Sequence, residues 1–398
     1  MSEILCRYFT GYKPCSLSER CDASCHKRSI VKSRVLVVHL GAMGAVVRST
    51  TLLKAIRRKY PESHLTWVTS QPVHELLVGH PLVDRVLTTS REDLLALSAL
   101  EFDVGFCIDK SLVAAGVLRA TRVKKVFGFR VETVTGAILP ATEAASELWE
   151  IGLSDRKKFF ENRKTEAELV CRALELDYQG DDYDLRLTAD ERAEVLHRRS
   201  SWQGASRAIV GFNTGCSDVI KYKKLTVEAQ RQLIPLIHAL GAQVVLLGGP
   251  EDKIRNQQIA HGQKVISSST EGGLRDGLLS VAACDIVVTG DSLGMHLAIA
   301  MKKWVVAWFG PTCAHEIDLF GRGAKVLSQA TCGPCWRRSC QKETMCYDLV
   351  DLNEITNAVS KGIDWTTSSF TQPSSATSYS PSPSLAKFDA AGEMIESL

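Results

Sequence analysis

Short apolar runs alternate with amphipathic segments along most of the chain, and this alternation predicts an α/β fold with parallel sheets. Continuous runs rich in Val, Ile and Leu are typical of strands that helices cover on both faces. The first series of such runs spans residues 34–39, 64–68, 83–87, 102–108 and 125–129. A second series spans residues 208–212, 243–247, 264–266, 286–288 and 305–309.

The two series predict two Rossmann-like domains that face each other across a cleft, with ligands at the carboxyl ends of the strands. Residues 177–187 are acidic and poor in apolar side chains, so we place the boundary there. The predicted domains span residues 34–180 and 188–363, with one helix over 45–60 and a last helix over 349–363. Residues 1–33 form a cysteine-rich segment. Residues 364–398 are rich in Ser and Pro, and we expect them to be disordered.

Composition narrows the class of protein. The chain has 398 residues, is 45% hydrophobic and carries a net charge of +3. This charge is too small to predict a nucleic-acid partner. No apolar run has the length of a membrane span, and the N-terminus lacks the apolar core of a signal peptide. We therefore expect a cytoplasmic protein, in which the 13 cysteines are thiols or metal ligands rather than disulfides.

Two groups of cysteines have the composition of metal sites. The later group begins with a C-x-x-C pair and comprises Cys332, Cys335, Cys340 and Cys346. Four thiolates leave no open coordination position, so we predict a structural zinc, with iron or an iron–sulfur cluster as the alternative. The earlier, less regular group comprises Cys6, Cys15, Cys21 and Cys25. Unliganded thiols are the alternative for both groups, and a flexible leader for the earlier one.

Four polar turns follow strands of the second series and predict an anion site at one sheet edge. They contain Asn213-Thr214-Gly215, Gly249, Asp291-Ser292 and Gly310-Pro311-Thr312. Residues 293–302 read as a helix, and helix N-termini favour phosphate groups. Lys221, Lys223 and Lys224 add positive charge. The site suits a sugar nucleotide. Alternatively, Asp291 only caps the helix, His296 only packs, and the lysines are solvated.

Several segments resemble glycosyltransferase family 9, the ADP-heptose:lipopolysaccharide heptosyltransferases. The similar segments are VLVVHLGAMGAVVRSTTLLKAIRRKYP (35–61), HPLVDRV (80–86), FNTG (212–215), LLGGPED (246–252), TGDSLGMHLAIA (289–300) and FGPT (309–312). The resemblance implies a GT-B fold and an enzyme that transfers heptose from ADP-heptose to a glycan such as lipopolysaccharide core. The implied reaction inverts the configuration at the anomeric carbon and uses no catalytic metal.

The resemblance also assigns roles in the donor half. Asp291 matches the acidic residue that contacts the donor sugar, and His296 matches the histidine of the same segment. Leu293 stands where glycine is usual, with Gly294 beside it. Lys223 best matches the lysine that holds the donor phosphates, with Lys221 and Lys224 as alternatives. The expected donor-binding residues are Asn213, Thr214, Gly215, Lys223, Gly249, Asp291, Ser292, His296, Gly310, Pro311 and Thr312.

The acceptor half departs from the family at the general base. The first glycine turn of the family usually ends in Asp, and Ala45 stands there. Since a methyl group takes no proton, Asp109 is the candidate replacement, ahead of His39 and Arg48. A helix-capping role is the alternative for Asp109. A non-catalytic protein that binds a nucleotide sugar or glycan is thus the alternative to an active transferase, and an unrelated scaffold protein is the third hypothesis.

A basic run lies near the end of the first series of strands, at Arg119, Arg122, Lys124, Lys125 and Arg130. It predicts either an anionic glycan or glycolipid acceptor, with peripheral contact at the inner face of the inner membrane, or an ordinary solvated surface. No nucleic-acid partner is expected.

Overall fold

The computed structural model of the chain describes residues 6–9, 12, 14–22 and 24–369. These residues form two compact units. The first contains the residues up to His39 and Leu53–Thr142, and the second contains Leu40–Leu52 and the described residues from Glu143 onward. Each unit contains one six-stranded sheet. The domain boundary that the sequence places between residues 180 and 188 stays a prediction.

The sheet of the first unit has the strand order β3-β2-β1-β4-β5-β6. All neighbouring strands are parallel except β5 and β6. Its core includes Trp67, Phe106 and Phe127, which are almost fully buried. The strands are β1 Ser33–Val38, β2 Ser63–Val68, β3 Arg85–Leu87, β4 Glu101–Cys107, β5 Arg122–Val131 and β6 Ile138–Pro140.

The helices of the first half of the chain follow β1, β3, β4 and β6, and the last three succeed one another without an intervening strand. They are α1 Met43–Ser49, α2 Leu52–Lys59, α3 Arg91–Ser98, α4 Leu112–Arg119, α5 Ser146–Leu153, α6 Glu166–Ala173 and α7 Ala189–Gln203. A single π-helical turn, Lys157–Glu161, lies between α5 and α6.

The sheet of the second unit repeats the strand order of the first, as β12-β11-β10-β7-β8-β9, and is parallel throughout. The strands are β7 Ala208–Asn213, β8 Ala242–Leu247, β9 Ile266–Ser267, β10 Ile286–Gly290, β11 Trp304–Phe309 and β12 Gly323–Leu327. The helices are α8 Val227–Ala239, α9 Lys253–Ala260, α10 Gly273–Ala283, α11 Leu293–Ala300 and α12 Leu352–Ser369. The prediction of α/β units with parallel sheets is confirmed.

The single helix predicted over residues 45–60 is wrong, because the chain turns at Thr50 and Thr51 between α1 and α2. Thr50 Oγ1 donates to the Val47 carbonyl at 2.7 Å and accepts from the Asp184 amide at 2.8 Å. Thr51 Oγ1 donates to the Asp181 carbonyl. Side-chain hydrogen bonds of this kind compete with the helical ladder, and here they end α1.

The last helix is longer than predicted, since α12 continues to Ser369 rather than ending at residue 363. Trp365 packs against Trp304 with ring centroids 5.7 Å apart. This apolar contact extends a helix through a Thr- and Ser-rich sequence that the pattern assigned to the disordered tail. The rest of the predicted tail, residues 370–398, lies outside the described residues.

Four elements escaped the sequence pattern: β6, α5, α7 and β12. Helix α7 begins with a capping box, in which Thr188 and Glu191 each accept from the other's backbone amide. Within the described residues, no helix is long and apolar enough to cross a membrane.

Candidate functional site

The ends of β7 and β10 meet at the point where the strand order of the second sheet reverses, and Asn213 links them. Its side-chain amide donates to Ser292 Oγ at 2.9 Å, Thr289 Oγ1 at 3.2 Å and the Gly215 carbonyl at 3.1 Å. Ligands of doubly wound sheets bind at such points. The residue that ends β7 therefore fixes the turn that begins α11.

The N-terminus of α11 has no side-chain cap. Ser292 occupies the N-cap position, but its hydroxyl is engaged by Asn213 and makes no capping hydrogen bond. A β-carbon at Gly294 would lie 2.4 Å from Asn213 Cγ, so only glycine fits there. This contact explains why glycine is needed at 294 although Leu293 departs from the family motif. The first amides of α11 are thus available to an anion.

Asp291 stands beside this helix end together with two basic side chains. Lys223 Nζ lies 3.8 Å from one carboxylate oxygen and His296 Nε2 lies 4.0 Å from the other. Lys223 is held by its backbone, because a β-carbon at Gly290 would come 1.8 Å from the Lys223 carbonyl oxygen. The structure therefore brings Lys223, Asp291 and His296 together, as the sequence predicted.

His296 is neutral at ordinary pH. Burial, together with the charges of Arg48 and Lys223, lowers the pKa of His296 to about 3 despite the opposing effect of Asp291. Its ring packs on helix α1, where a β-carbon at Gly44 would lie 2.5 Å from His296 Cδ2. Nδ1 is buried and makes no hydrogen bond within the described part of the chain. A neutral imidazole of this kind can donate or accept a hydrogen bond with a ligand.

The geometry distinguishes Lys223 from its two sequence alternatives by its partner. Lys221 and Lys224 line a cavity of about 750 Å³ together with Arg231 and Arg255, and Lys224 also lies beside Asn213 and Gly290. Of the three lysines, only Lys223 forms an ion pair with Asp291 among the described residues. Lys223 is therefore the stronger candidate for a phosphate ligand, and its role stays a prediction.

The remaining predicted turns are mostly occupied by internal contacts. Thr214 is fully buried and donates to the Leu247 carbonyl at 3.1 Å. The Gly249 amide donates to Asp252 Oδ2 at 3.1 Å, so an internal carboxylate already holds it. Asp252 also packs under Gly215, where a β-carbon would lie 1.8 Å from Oδ1. These glycines shape the sheet edge rather than presenting free amides.

The turn after β11 is covered by a second segment. The Pro311 carbonyl accepts from the amides of Cys335 at 3.0 Å and Trp336 at 2.9 Å. A β-carbon at Gly310 would lie 2.9 Å from Cys346 Sγ. Thr312 Oγ1 is buried, with no hydrogen-bond partner within the described residues.

At the carboxyl edge of the first sheet, β1 and β4 are neighbours and place His39 near Asp109. His39 Nε2 lies 3.7 Å from Asp109 Oδ1, and both side chains are largely buried. The helix-capping alternative for Asp109 is wrong, because Ser111 is the N-cap of α4 and accepts from the Ala114 amide at 3.2 Å.

The other two acceptor-side positions offer no base. Ala45 lies in the first turn of α1 and has only a methyl group. Arg48 on the same helix is held by Glu166 at 2.5 Å. Asp109 and its neighbour His39 remain as candidates for the base, and the role of Asp109 stays a prediction.

The cysteine groups are only partly arranged for a metal. Burial, followed by the thiols of Cys335, Cys332 and Cys340, raises the pKa of Cys346 to about 11. Three or more ligand atoms within 4.8 Å of one another occur among the described residues only at Cys313, His315 and Glu316. Neither cysteine group reaches that spacing. The metal at both groups, including Cys6, Cys15, Cys21 and Cys25, stays a prediction.

The cluster of Cys313, His315 and Glu316 was missed by the sequence reasoning. The signal was present as C-x-H-E directly after the FGPT turn. Burial raises the pKa of Glu316 to about 7, against the effect of Lys158. Lys158 Nζ lies 3.8 Å from Glu316, and the Lys158 carbonyl lies 3.2 Å from His315 Nε2. The cluster has the ligand types of a zinc site, and Lys158 already supplies a cation there.

The basic run of the first unit is partly neutralised by the strand beside it. Arg122 pairs with Glu101 at 3.1 Å and Lys124 with Asp103 at 2.8 Å, both acids lying on β4. Lys125 Nζ lies over the Phe127 ring, 4.3 Å from its centroid. These contacts favour a solvated surface over an acceptor site.

Comparison with known proteins agrees with this geometry. The model of glycosyltransferase family 9 (heptosyltransferase) matches residues 95–346, well over half of the chain. The chain belongs to glycosyltransferase family 9 and is a glycosyltransferase. No curated protein is detectably similar to it.

Solved structures share the fold at low sequence identity. The family 9 glycosyltransferase from Veillonella parvula DSM 2008 has a TM-score of 0.69 at 16% identity, covering 84% of this chain and 98% of that one. ADP-heptose lipopolysaccharide heptosyltransferase II of E. coli has a TM-score of 0.62 at 18% identity, covering 84% and 99%. The E. coli heptosyltransferase WaaC, solved with ADP, has a TM-score of 0.52 at 18% identity, covering 84% and 98%. The predicted GT-B resemblance is thus confirmed for the α/β fold.

Proposed function

We propose that the protein transfers heptose from ADP-heptose to a glycan acceptor such as lipopolysaccharide core, with inversion at the anomeric carbon. The observation that carries this proposal is the uncapped N-terminus of α11 beside Lys223, Asp291 and the neutral His296. This arrangement concentrates positive potential and hydrogen-bond donors on one spot. It suits a diphosphate joined to a sugar.

In this proposal each of the three side chains has a separate task. Lys223 and the amides of α11 hold the diphosphate and stabilise the negative charge that grows as ADP leaves. They supply the positive charge for departure, so the proposal includes no catalytic metal. Asp291 accepts hydrogen bonds from hydroxyls of the donor sugar. His296 Nδ1, which lacks a partner within the described residues, is a second donor or acceptor. WaaC binds ADP on the same fold, which supports ADP as the nucleotide.

The transfer step needs a base. The acceptor hydroxyl attacks the anomeric carbon, the bond to the diphosphate oxygen breaks, and ADP leaves with the electron pair. The hydroxyl proton passes to a carboxylate, and we assign this role to Asp109. His39, 3.7 Å from it, orients that carboxylate. A positioned base contributes on the order of 10²–10⁴-fold to rate.

We further propose that Cys332, Cys335, Cys340 and Cys346 hold a structural zinc or iron, and that Cys6, Cys15, Cys21 and Cys25 hold a second ion. The grouping of the later four thiols supports the first assignment. Elemental analysis of protein purified without chelator is expected to give two metal ions per chain. One ion would restrict the proposal to the later group, and none would reject it. The cytoplasmic location stays a prediction, as does an anionic glycan or glycolipid acceptor at the inner face of the inner membrane.

A second function is favoured by Ala45. If no carboxylate takes the acceptor proton, the protein binds a nucleotide sugar or glycan without turning it over. The deciding experiment incubates wild type with ADP-heptose and heptose-deficient lipopolysaccharide, and follows ADP release and the acceptor mass. We expect ADP release and a gain of one heptose per acceptor. ADP binding without either signal would support the binding function, and transfer from another nucleotide sugar alone would correct the donor.

A further inference from the structure

The segment at residues 332–346, here called the cysteine loop, touches the candidate donor site at two separate places. The first is the turn after β11. The amides of Cys335 and Trp336 both donate to the Pro311 carbonyl, at 3.0 and 2.9 Å. A β-carbon at Gly333 would lie 2.5 Å from the Gly310 carbonyl oxygen, so the two backbones are in direct contact.

The second place is the segment that carries the phosphate-binding candidate. The Cys340 amide donates to the hydroxyl of Tyr222 at 2.7 Å. Tyr222 directly precedes Lys223, whose carbonyl packs on Gly290 at the end of β10. A shift of Tyr222 therefore moves the backbone that places Lys223 beside Asp291.

We infer that the cysteine loop forms one wall of the donor site and that its conformation affects donor binding. Tyr222 is a positioning residue: a change in the conformation of the loop moves Tyr222 and, with it, Lys223. The inference rests on the proposed function. The same loop contacts both the Gly310-Pro311 turn and the Tyr222 hydroxyl. The conformation of the loop therefore sets the distance between that turn and Tyr222. The conformation of this loop thus affects donor affinity through the contacts of its backbone amides.

Two substitutions test the two contacts without changing any donor-binding side chain. Tyr222→Phe removes only the hydroxyl that accepts from Cys340. Gly333→Ala adds a methyl group against the Gly310 carbonyl. Matched controls are Tyr12→Phe, which removes a hydroxyl from a side chain that is 85% exposed, and Gln341→Ala, an exposed neutral position of the same loop.

The measurement is the affinity for ADP by titration calorimetry, with the thermal midpoint recorded for each variant. We expect Tyr222→Phe to weaken ADP binding roughly fivefold, the effect of one ordinary hydrogen bond, and Gly333→Ala to weaken it at least as much. Tyr12→Phe and Gln341→Ala should match wild type. Tyr222→Phe with wild-type ADP affinity and only a lower thermal midpoint would overturn the inference. Absence of ADP binding by wild type would instead overturn the proposed function, and the inference with it.

A second readout needs only wild type. Because coupling between two sites is reciprocal, bound ADP should slow hydrogen exchange at the Cys340 amide, which donates to Tyr222, as followed by peptide mass spectrometry. The Ala114 amide, which donates to Ser111, is the internal reference and should exchange at the same rate with and without ADP. Equal protection of both amides, or of neither, would contradict the inference even if Gly333→Ala failed to fold.

Discussion

The two sheets have the same strand order, yet their carboxyl edges carry different chemistry. At the second edge, Asn213 ties two strand ends to the start of α11, and Lys223, Asp291 and His296 gather there. At the first edge, the corresponding strand ends bring His39 and Asp109 together. The same backbone topology thus supports an anion site in one unit and a single carboxylate–imidazole pair in the other.

The difference shows which half of the chain keeps the family pattern and which has changed. The second edge needs several groups at once, since a diphosphate requires amides, a cation and hydroxyl partners. The first edge needs one proton acceptor, and any carboxylate that reaches the acceptor hydroxyl serves. In the proposed mechanism, a single base is therefore easier to relocate, from position 45 to Asp109, than a whole donor site.

The largest effect is expected at the first edge. Asp109→Asn should lower turnover by ~10²–10⁴-fold, because it removes the proton acceptor and keeps the shape. ADP affinity, measured by calorimetry, should not change. The control is Ser111→Ala, which removes the actual cap of α4 and should cost about 1 kcal/mol of stability with little loss of turnover. If Asp109→Asn behaves like this control, the base lies elsewhere.

Asp291→Asn should lower turnover by about 10²–10³-fold, the usual cost of removing one group that stabilises the transition state. The carboxylate also balances Lys223 at 3.8 Å, so its loss affects the diphosphate site. Steady-state kinetics with ADP-heptose provide the measurement, with the exposed Asp155→Asn as control. Full activity in Asp291→Asn would remove this residue from the donor site.

Lys223→Ala should weaken ADP binding by roughly 1.5–3 kcal/mol, the range for hydrogen bonds to a charged group. Lys221→Ala serves as the matched control, because Lys221 lines a separate cavity. Calorimetry on both variants distinguishes the two lysines. A larger loss in Lys221→Ala would transfer the phosphate role to the other lysine and place the diphosphate in that cavity.

The smallest expected effect is on the pH dependence of the free energy of unfolding, and it comes from Glu316 near the second edge. The pKa of Glu316 is raised to about 7 in the folded protein, so the folded state binds more protons than the unfolded state between the ordinary value and that pKa. This stabilisation is complete below the unfolded pKa and is lost as pH rises through about 7. Urea unfolding should therefore show Glu316→Gln gaining stability relative to wild type as pH rises from the ordinary carboxyl pKa to about 7, with a constant difference above that pH. Parallel curves would contradict the burial of an ionising carboxylate.

Much of the second edge could be predicted from sequence because its chemistry is local. Asp291, Ser292 and His296 lie within one turn and one helix, so the motif itself brings them together. Their approach to Asn213 follows from the pairing of β10 with β7. The separation of Lys223 from Lys221 was not predictable, because it depends on a carbonyl packing against Gly290.

Other features depend on contacts distant in sequence. The turn at Thr50-Thr51 requires partners at residues 181 and 184. The charges of the basic run are partly neutralised by acidic side chains on the neighbouring strand β4, which are distant in sequence. The exclusion of a capping role for Asp109 required the observed start of α4 at Leu112, since Asp109 and Ser111 are both good caps by sequence.

The central claim is that the catalytic base has moved from position 45 to Asp109. The most direct test is a single-turnover transfer experiment that compares wild type with Ala45→Asp. Donor, acceptor and enzyme are mixed with enzyme in excess, and ADP release is followed in time. We predict transfer by wild type, and at most a small gain in Ala45→Asp, because Asp109 already takes the proton. The account would be contradicted if folded wild type binds ADP without any transfer, and only Ala45→Asp releases ADP and extends the acceptor.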